Sequence, residues 1–219
     1  MLIGGLQKLT LIDYPGKIAA TVFTVGCNFS CAFCHNPELV DPEKIKKQPI
    51  ISEKEFFEFL TNRKGMLEGV CITGGEPTLH KDLPEFIKKI KKLGFSIKLD
   101  TNGSNPEMLK KLIDNNLIDY LAMDIKGPLQ IPKKSVELIK NSGIDYEFRT
   151  TVVPILHTKE DIIQIAKEIS PAKKFFLQQF RPGKNLDKKF EKEKPYSKKE
   201  LDEFCEVIKS YFDFCGVRD

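Results

Sequence analysis

The chain has 219 residues, 41% hydrophobic and 30% charged, and its 35 Lys+Arg against 31 Asp+Glu leave a net charge of +4. That size and balance describe one soluble globular domain over residues 1–219, and lysines scattered over helical faces argue against a nucleic-acid partner. The apolar runs are too short to cross a bilayer, and "MLIGGLQKLTLIDYPGK" lacks the pattern of a signal peptide, so the expectation is a cytoplasmic protein with no membrane partner.

The first predicted strand, Ile18–Val25, runs into a loop reading GCNFSCAFCHNPE. Ser52 and Glu55 then form a capping-box pattern ahead of "FFEFL", which marks a helix start, and a second strand follows at Gly69–Thr73. "DLPEFIKKIKKLG" carries Leu83, Phe86, Ile87, Ile90 and Leu93 on one stripe and stops at Gly94. Strands are expected at Ser96–Asp100, Tyr120–Asp124, Glu147–Val152 and Lys174–Gln179, with helices between them at Pro106–Asn115, Lys133–Asn141 and Lys159–Ile169. A last helix is expected over Ser197–Phe212, opened by the capping-box pattern Ser197/Glu200.

Six strand–helix units predict an α/β fold, either an open doubly wound sheet or an incomplete barrel. In both architectures ligands collect at the carboxyl ends of the strands. Three of the six cysteines, Cys27, Cys31 and Cys34, fall at such an end in a Cys-x3-Cys-x2-Cys run. In a reducing compartment so tight a cluster asks for a metal rather than disulfides. Thiolates at this spacing wrap a polynuclear iron centre, whereas structural zinc wants a fourth ligand, and His35, adjacent to Cys34, is awkwardly placed to supply it. Cys71 is read as a small buried hydrophobe, and Cys205 and Cys215 carry no assignment.

The other strand ends are polar. "ITGGEPTLH" places Gly74, Gly75 and Glu76 after the second strand, where paired glycines permit close backbone approach. "KLDTNG" gathers Asp100, Thr101 and Asn102 after the third, and "AMDIKGP" points Asp124 and Lys126 the same way with Ile125 opposite. Arg149 lies in the fifth strand, and Gln178, Gln179 and Arg181 end the sixth. Taken singly, each of these reads equally as a turn, a surface pair or a solvated side chain; His80 and His157 are read as solvated loop residues with no role.

The cysteine triplet with Phe33 just before its third member resembles the radical S-adenosylmethionine superfamily, and "GGEP", "DTNG" and Asp-x-Lys agree with it. The resemblance implies a partial (β/α)6 barrel with a C-terminal helix, holding a [4Fe–4S] cluster on Cys27, Cys31 and Cys34. Its open iron chelates S-adenosylmethionine, whose reductive cleavage yields a 5′-deoxyadenosyl radical. The same resemblance assigns Gly74, Gly75 and Glu76 to the methionine end of that cofactor and Lys126 to its carboxylate. Phe33, His35, Asp100, Thr101, Asn102, Asp124, Arg149 and Arg181 become further cofactor-binding candidates, and no catalytic residue is implied beyond the cluster and cofactor.

"LTLIDYPGK" before the first strand and "HNP" after the cluster are similar to the anaerobic ribonucleoside-triphosphate reductase activating proteins, relatives of the pyruvate formate-lyase activating enzymes. That likeness implies hydrogen abstraction from a glycine of a partner enzyme, anaerobic ribonucleotide reductase, with a flavodoxin- or ferredoxin-type electron donor. Two alternatives stand beside it. One is a small-molecule radical enzyme such as a 7-carboxy-7-deazaguanine synthase; the other is a non-catalytic iron or zinc binding module.

Overall fold

A computed structural model of the chain describes residues 1–218. Eight strands form one sheet in sequential order: β1 (Ile3–Thr10), β2 (Ala19–Thr24), β3 (Gly69–Gly74), β4 (Ser96–Thr101), β5 (Tyr120–Asp124), β6 (Asp145–Val152), β7 (Ala172–Gln179) and β8 (Phe212–Arg218). From β2 to β8 every neighbouring pair is parallel, and β1 runs antiparallel to β2. Among the described residues β1 and β8 are not paired with each other, so the sheet is a partial barrel with a lateral gap.

The helices are α1 (Pro37–Val40), α2 (Pro42–Ile45), α3 (Glu53–Thr61), α4 (Leu83–Lys92), α5 (Pro106–Asp114), α6 (Lys133–Lys140), α7 (Lys159–Ile169) and α8 (Lys198–Ile208). The six predicted strands are β2 to β7, with ends shifted by at most two residues. Two strands were not foreseen. β1 precedes the first predicted unit, and β8 takes Phe212 from the predicted last helix, which ends at Ile208. Ser197 and Glu200 complete the expected capping box, whereas at Ser52 the side chain accepts from the Glu55 amide at 3.1 Å. Thr158 and Asp161 form a further box at the start of α7.

Strand alternation sorts the side chains onto two faces. Val70 and Ile72, Ile97 and Leu99, Leu121 and Met123, and Phe175 and Leu177 point outward into the apolar layer beneath the helices. There they meet Phe56 of α3 and Phe86 of α4, whose rings stack at 5.2 Å. Full burial of each such side chain contributes about 1.5–3 kcal/mol. The alternate positions face into the barrel and are mostly polar. Cys71 is one of them: it is fully buried, as expected, but among polar rather than apolar side chains. It sits 3.7 Å from Lys98 Nζ and 3.8 Å from Asp100 Oδ1, because its neighbours Val70 and Ile72 take the outward face.

Candidate active site

A cavity of about 390 Å³ opens at the carboxyl ends of the strands. It is lined by Cys27, Cys31 and Cys34, by Gln178, and by eleven of the twelve cofactor-binding candidates: Phe33, His35, Gly74, Gly75, Glu76, Asp100, Thr101, Asn102, Asp124, Lys126 and Arg149. Arg181 does not join them. It is exposed beyond Phe180, whose buried ring takes the inward position and stacks on His35 at 6.0 Å.

The cysteine loop is fixed from both sides. Gly26 N donates to Leu39 O at 2.7 Å, and Glu76 N donates to Gly26 O at 2.8 Å, which ties the loop to the turn after β3. Those two turns touch so closely that a Cβ on Gly75 would lie 1.9 Å from Gly26 O; Gly74, at φ +116°, has Thr24 N 2.3 Å from the same position. Asn28 accepts from Asn102 Nδ2 at 3.0 Å and donates to Ser104 Oγ at 2.9 Å, linking the loop to the end of β4. Phe33 is buried with Val153, Phe180 and Phe190.

Glu76 is a cross-tie. Its buried carboxylate accepts from Thr78 N (3.1 Å), Thr78 Oγ1 (2.5 Å), Thr101 Oγ1 (2.7 Å) and Asn102 N (2.6 Å). Burial pushes its carboxyl above the usual range while these donors pull the other way.

The barrel wall carries a charge network. Asp124 accepts from Arg149 Nε at 2.8 Å and from Lys126 Nζ at 3.0 Å, and Arg149 NH2 lies 3.2 Å from Asp100, which also pairs with Lys98. Burial opposes ionisation of Asp124, but the adjacent Arg149 and Lys126 outweigh it and hold the carboxyl well below the ordinary range. Below this layer Glu147 accepts two bonds from Arg218 of β8, at 2.5 and 2.8 Å, and one from Tyr120 at 2.8 Å.

Two residues at or behind the cavity wall had no predicted role. Asp13, which accepts from Thr21 Oγ1 at 2.5 Å, stands in the "DYPG" segment whose distinctiveness was legible although its inward direction was not. His157 is not a solvated loop residue. Its Nδ1 accepts from Val153 N at 3.1 Å, so Nε2 carries the proton and donates to Lys126 O at 3.0 Å; the ring is 2% exposed and packs edge-on to Phe33.

The donor set suits an iron–sulfur centre. Cys27, Cys31 and Cys34 are free thiols on one cavity, and three sulfurs are the ligands such clusters take. Burial raises the Cys27 and Cys31 thiols, with nearby Lys126 pulling Cys31 back, and a bound cation would deprotonate them. Among the described residues no three His, Cys, Asp or Glu converge on a single ion.

The model of the Radical SAM superfamily matches residues 21–169, the stretch that carries the cysteine loop and β2 through α7. The chain belongs to that superfamily. This radical SAM protein is 34% identical to a Methanocaldococcus jannaschii protein assigned as a glycyl-radical enzyme activating enzyme, over 99% of this chain and 95% of that one. It is 31% identical to the pyruvate formate-lyase-activating enzyme of Clostridium pasteurianum, over 76% of this chain and 75% of the other. Streptococcus suis SuiB, solved bound to S-adenosylmethionine, shares the fold at a TM-score of 0.63 and 18% identity, over 91% of this chain; the chain spans about half of SuiB, 52%. The radical SAM protein is thus an oxidoreductase-type enzyme whose cofactors are a [4Fe–4S] cluster and S-adenosylmethionine. No helix among the described residues is long and apolar enough to cross a membrane.

Proposed function

We propose that this cytoplasmic chain, one domain over residues 1–219, activates a glycyl-radical enzyme, anaerobic ribonucleoside-triphosphate reductase. The observation that carries the reading is the convergence of three thiols, the glycine turn and the Asp124–Lys126 pair on one cavity in a barrel whose wall is open between β1 and β8. Near full-length similarity to a protein assigned as a glycyl-radical activating enzyme supports the class. The "LTLIDYPGK" opening supports the partner.

When bound, the cluster and S-adenosylmethionine supply a one-electron cleavage that yields a hydrogen-abstracting radical. The chain's own residues bind and orient. Cys27, Cys31 and Cys34 hold iron. Lys126, kept protonated beside Asp124, offers its remaining N–H groups to a carboxylate. Gly74 and Gly75 let the turn after β3 close against the cysteine loop on the cavity wall, and Glu76 holds that turn in place, its oxygens already occupied. Phe33 and His35, the latter backed by the buried Phe180 ring, would give the cofactor an apolar side of the cavity. Asp100, Thr101, Asn102 and Arg149 shape the opposite side. The gap between β1 and β8 admits an extended glycine-bearing loop, and a flavodoxin- or ferredoxin-type protein supplies the electron.

The test is anaerobic reconstitution followed by electron paramagnetic resonance with S-adenosylmethionine, reductant and the reductase subunit. The expected result is a glycyl-radical signal in that subunit. Release of 5′-deoxyadenosine together with modification of a small heterocycle, and no signal in any glycyl-radical enzyme, overturns the reading.

A further inference from the structure

Two thiols outside the cavity face each other. Cys205 lies in α8, buried in the core beside Leu201, Phe204 and Ile208, and Cys215 lies half-buried in β8 against the same core. Their sulfurs are 2.6 Å apart, with ten residues of sequence separation spanned by the turn Lys209–Tyr211. That is well inside van der Waals contact for two sulfurs. Neither residue lines the cluster cavity, and neither is used in the proposed activity.

β8 connects this pair to the barrel interior. Three residues beyond Cys215, Arg218 grips Glu147 through two hydrogen bonds and stacks over Phe176 with its guanidinium carbon 3.4 Å from the ring centre. Glu147 lies 3.9 Å from Arg149, which holds both Asp100 and Asp124. β8 is also one bank of the lateral gap, paired only to β7 among the described residues. Its placement against α8 therefore sets both the Arg218–Glu147 contact and the width of the opening.

We infer that Cys205 and Cys215 form a redox-active dithiol, oxidised by a small-molecule disulfide to an intrachain bond that ties β8 to α8. One sulfur of the pair, as thiolate, attacks the small disulfide and expels one thiolate from it. The other cysteine loses its proton and displaces the second, closing the protein disulfide; two electrons pass to the reagent, which leaves as two thiols. The contact with Cys215 holds the Cys205 thiol below its ordinary range, which favours Cys205 as the attacking sulfur. A dithiol reductant reverses the reaction.

The experiment uses the full chain with its cluster reconstituted, equilibrated anaerobically in glutathione buffers of rising disulfide content, acid-quenched, alkylated and mapped by mass spectrometry. The expected result is one cross-link, between the Cys205 and Cys215 peptides, lost on adding dithiothreitol. Closing so short a loop raises the melting temperature of the oxidised form by roughly 5–10 °C. In C215S both the cross-link and the shift disappear while iron content is unchanged. Full alkylation of both cysteines in the most oxidising buffer, or glutathione left on Cys215 with no cross-link, overturns the inference. Because the wild-type map alone decides this, the result stands whether or not C215S folds, and it is independent of any partner glycine.

Discussion

Arg149 Nε donates to Asp124 Oδ1 at 2.8 Å while its NH2 reaches Asp100 Oδ2 at 3.2 Å, so one guanidinium bridges two half-buried carboxylates on adjacent strands. Arg149→Met leaves Asp124 with Lys126 alone and Asp100 with Lys98 alone, and is expected to lower the unfolding free energy by about 1–3 kcal/mol at neutral pH. The sign with pH is fixed by the direction of the Asp124 shift. A carboxyl held below its unfolded value contributes stability that is fully present above about pH 3.9 and is lost as pH falls below it toward the depressed folded value. The difference between wild type and variant should therefore hold near neutrality and narrow only as pH falls below about 4, read by urea titration. A constant difference contradicts the pairing.

Gly75→Ala is expected to be more damaging than its one methyl suggests. The added Cβ would meet Gly26 O at 1.9 Å, backbone against backbone, so neither side can give without parting the cysteine loop from the turn after β3. A loss of roughly 3 kcal/mol or more, with reduced iron uptake on reconstitution, is the outcome that thermal melting and iron analysis should show. Wild-type stability in the alanine variant would mean that the two turns are not in contact.

Lys126→Ala should leave a cluster of normal iron content but weaken S-adenosylmethionine binding roughly 10- to 100-fold, the worth of a charge-assisted hydrogen bond to a carboxylate. Isothermal titration of the reconstituted protein measures it directly. Unchanged affinity would remove Lys126 from the site.

His157 must stay neutral to keep its bond from Val153 N, and burial lowers its pKa. A folded pKa below the unfolded one, near 6.5, means that the unfolded chain binds more protons. Stability is then full above about pH 6.5 and falls below it, by at most about 1.4 kcal/mol per pH unit per histidine. His35 and His80 shift the same way, so His157→Gln should reduce the slope by one proton's share without abolishing it. An identical slope in the variant would place the proton elsewhere.

The site was legible because its residues are polar interruptions at the ends of apolar strands, and the barrel brings such ends together. Cys27, Gly74, Asp100 and Asp124 could be picked out for that reason. The edge strands could not. β1 sets Gly4, Gly5 and the exposed Gln7 and Lys8 among its apolar positions, and β8 does the same with Asp213 and Gly216, so neither shows the continuous apolar run of a doubly covered strand. Direction was the other gap. Cys71 and His157 were visible as residue types, but which way each points depends on strand register and on Lys126 O, which is distant in sequence from His157 and is brought to it by the pairing of β5 with β6.

The account turns on three cysteines holding iron with one coordination position left for S-adenosylmethionine. The most direct measurement is the electron paramagnetic resonance spectrum of the reduced, reconstituted protein with and without S-adenosylmethionine, for wild type and Cys31→Ala. The account predicts about four irons per wild-type chain, a cluster signal that changes when the cofactor is added, and formation of 5′-deoxyadenosine that disappears in Cys31→Ala. A spectrum indifferent to S-adenosylmethionine, a lone zinc ion, or full cleavage activity in Cys31→Ala would contradict it.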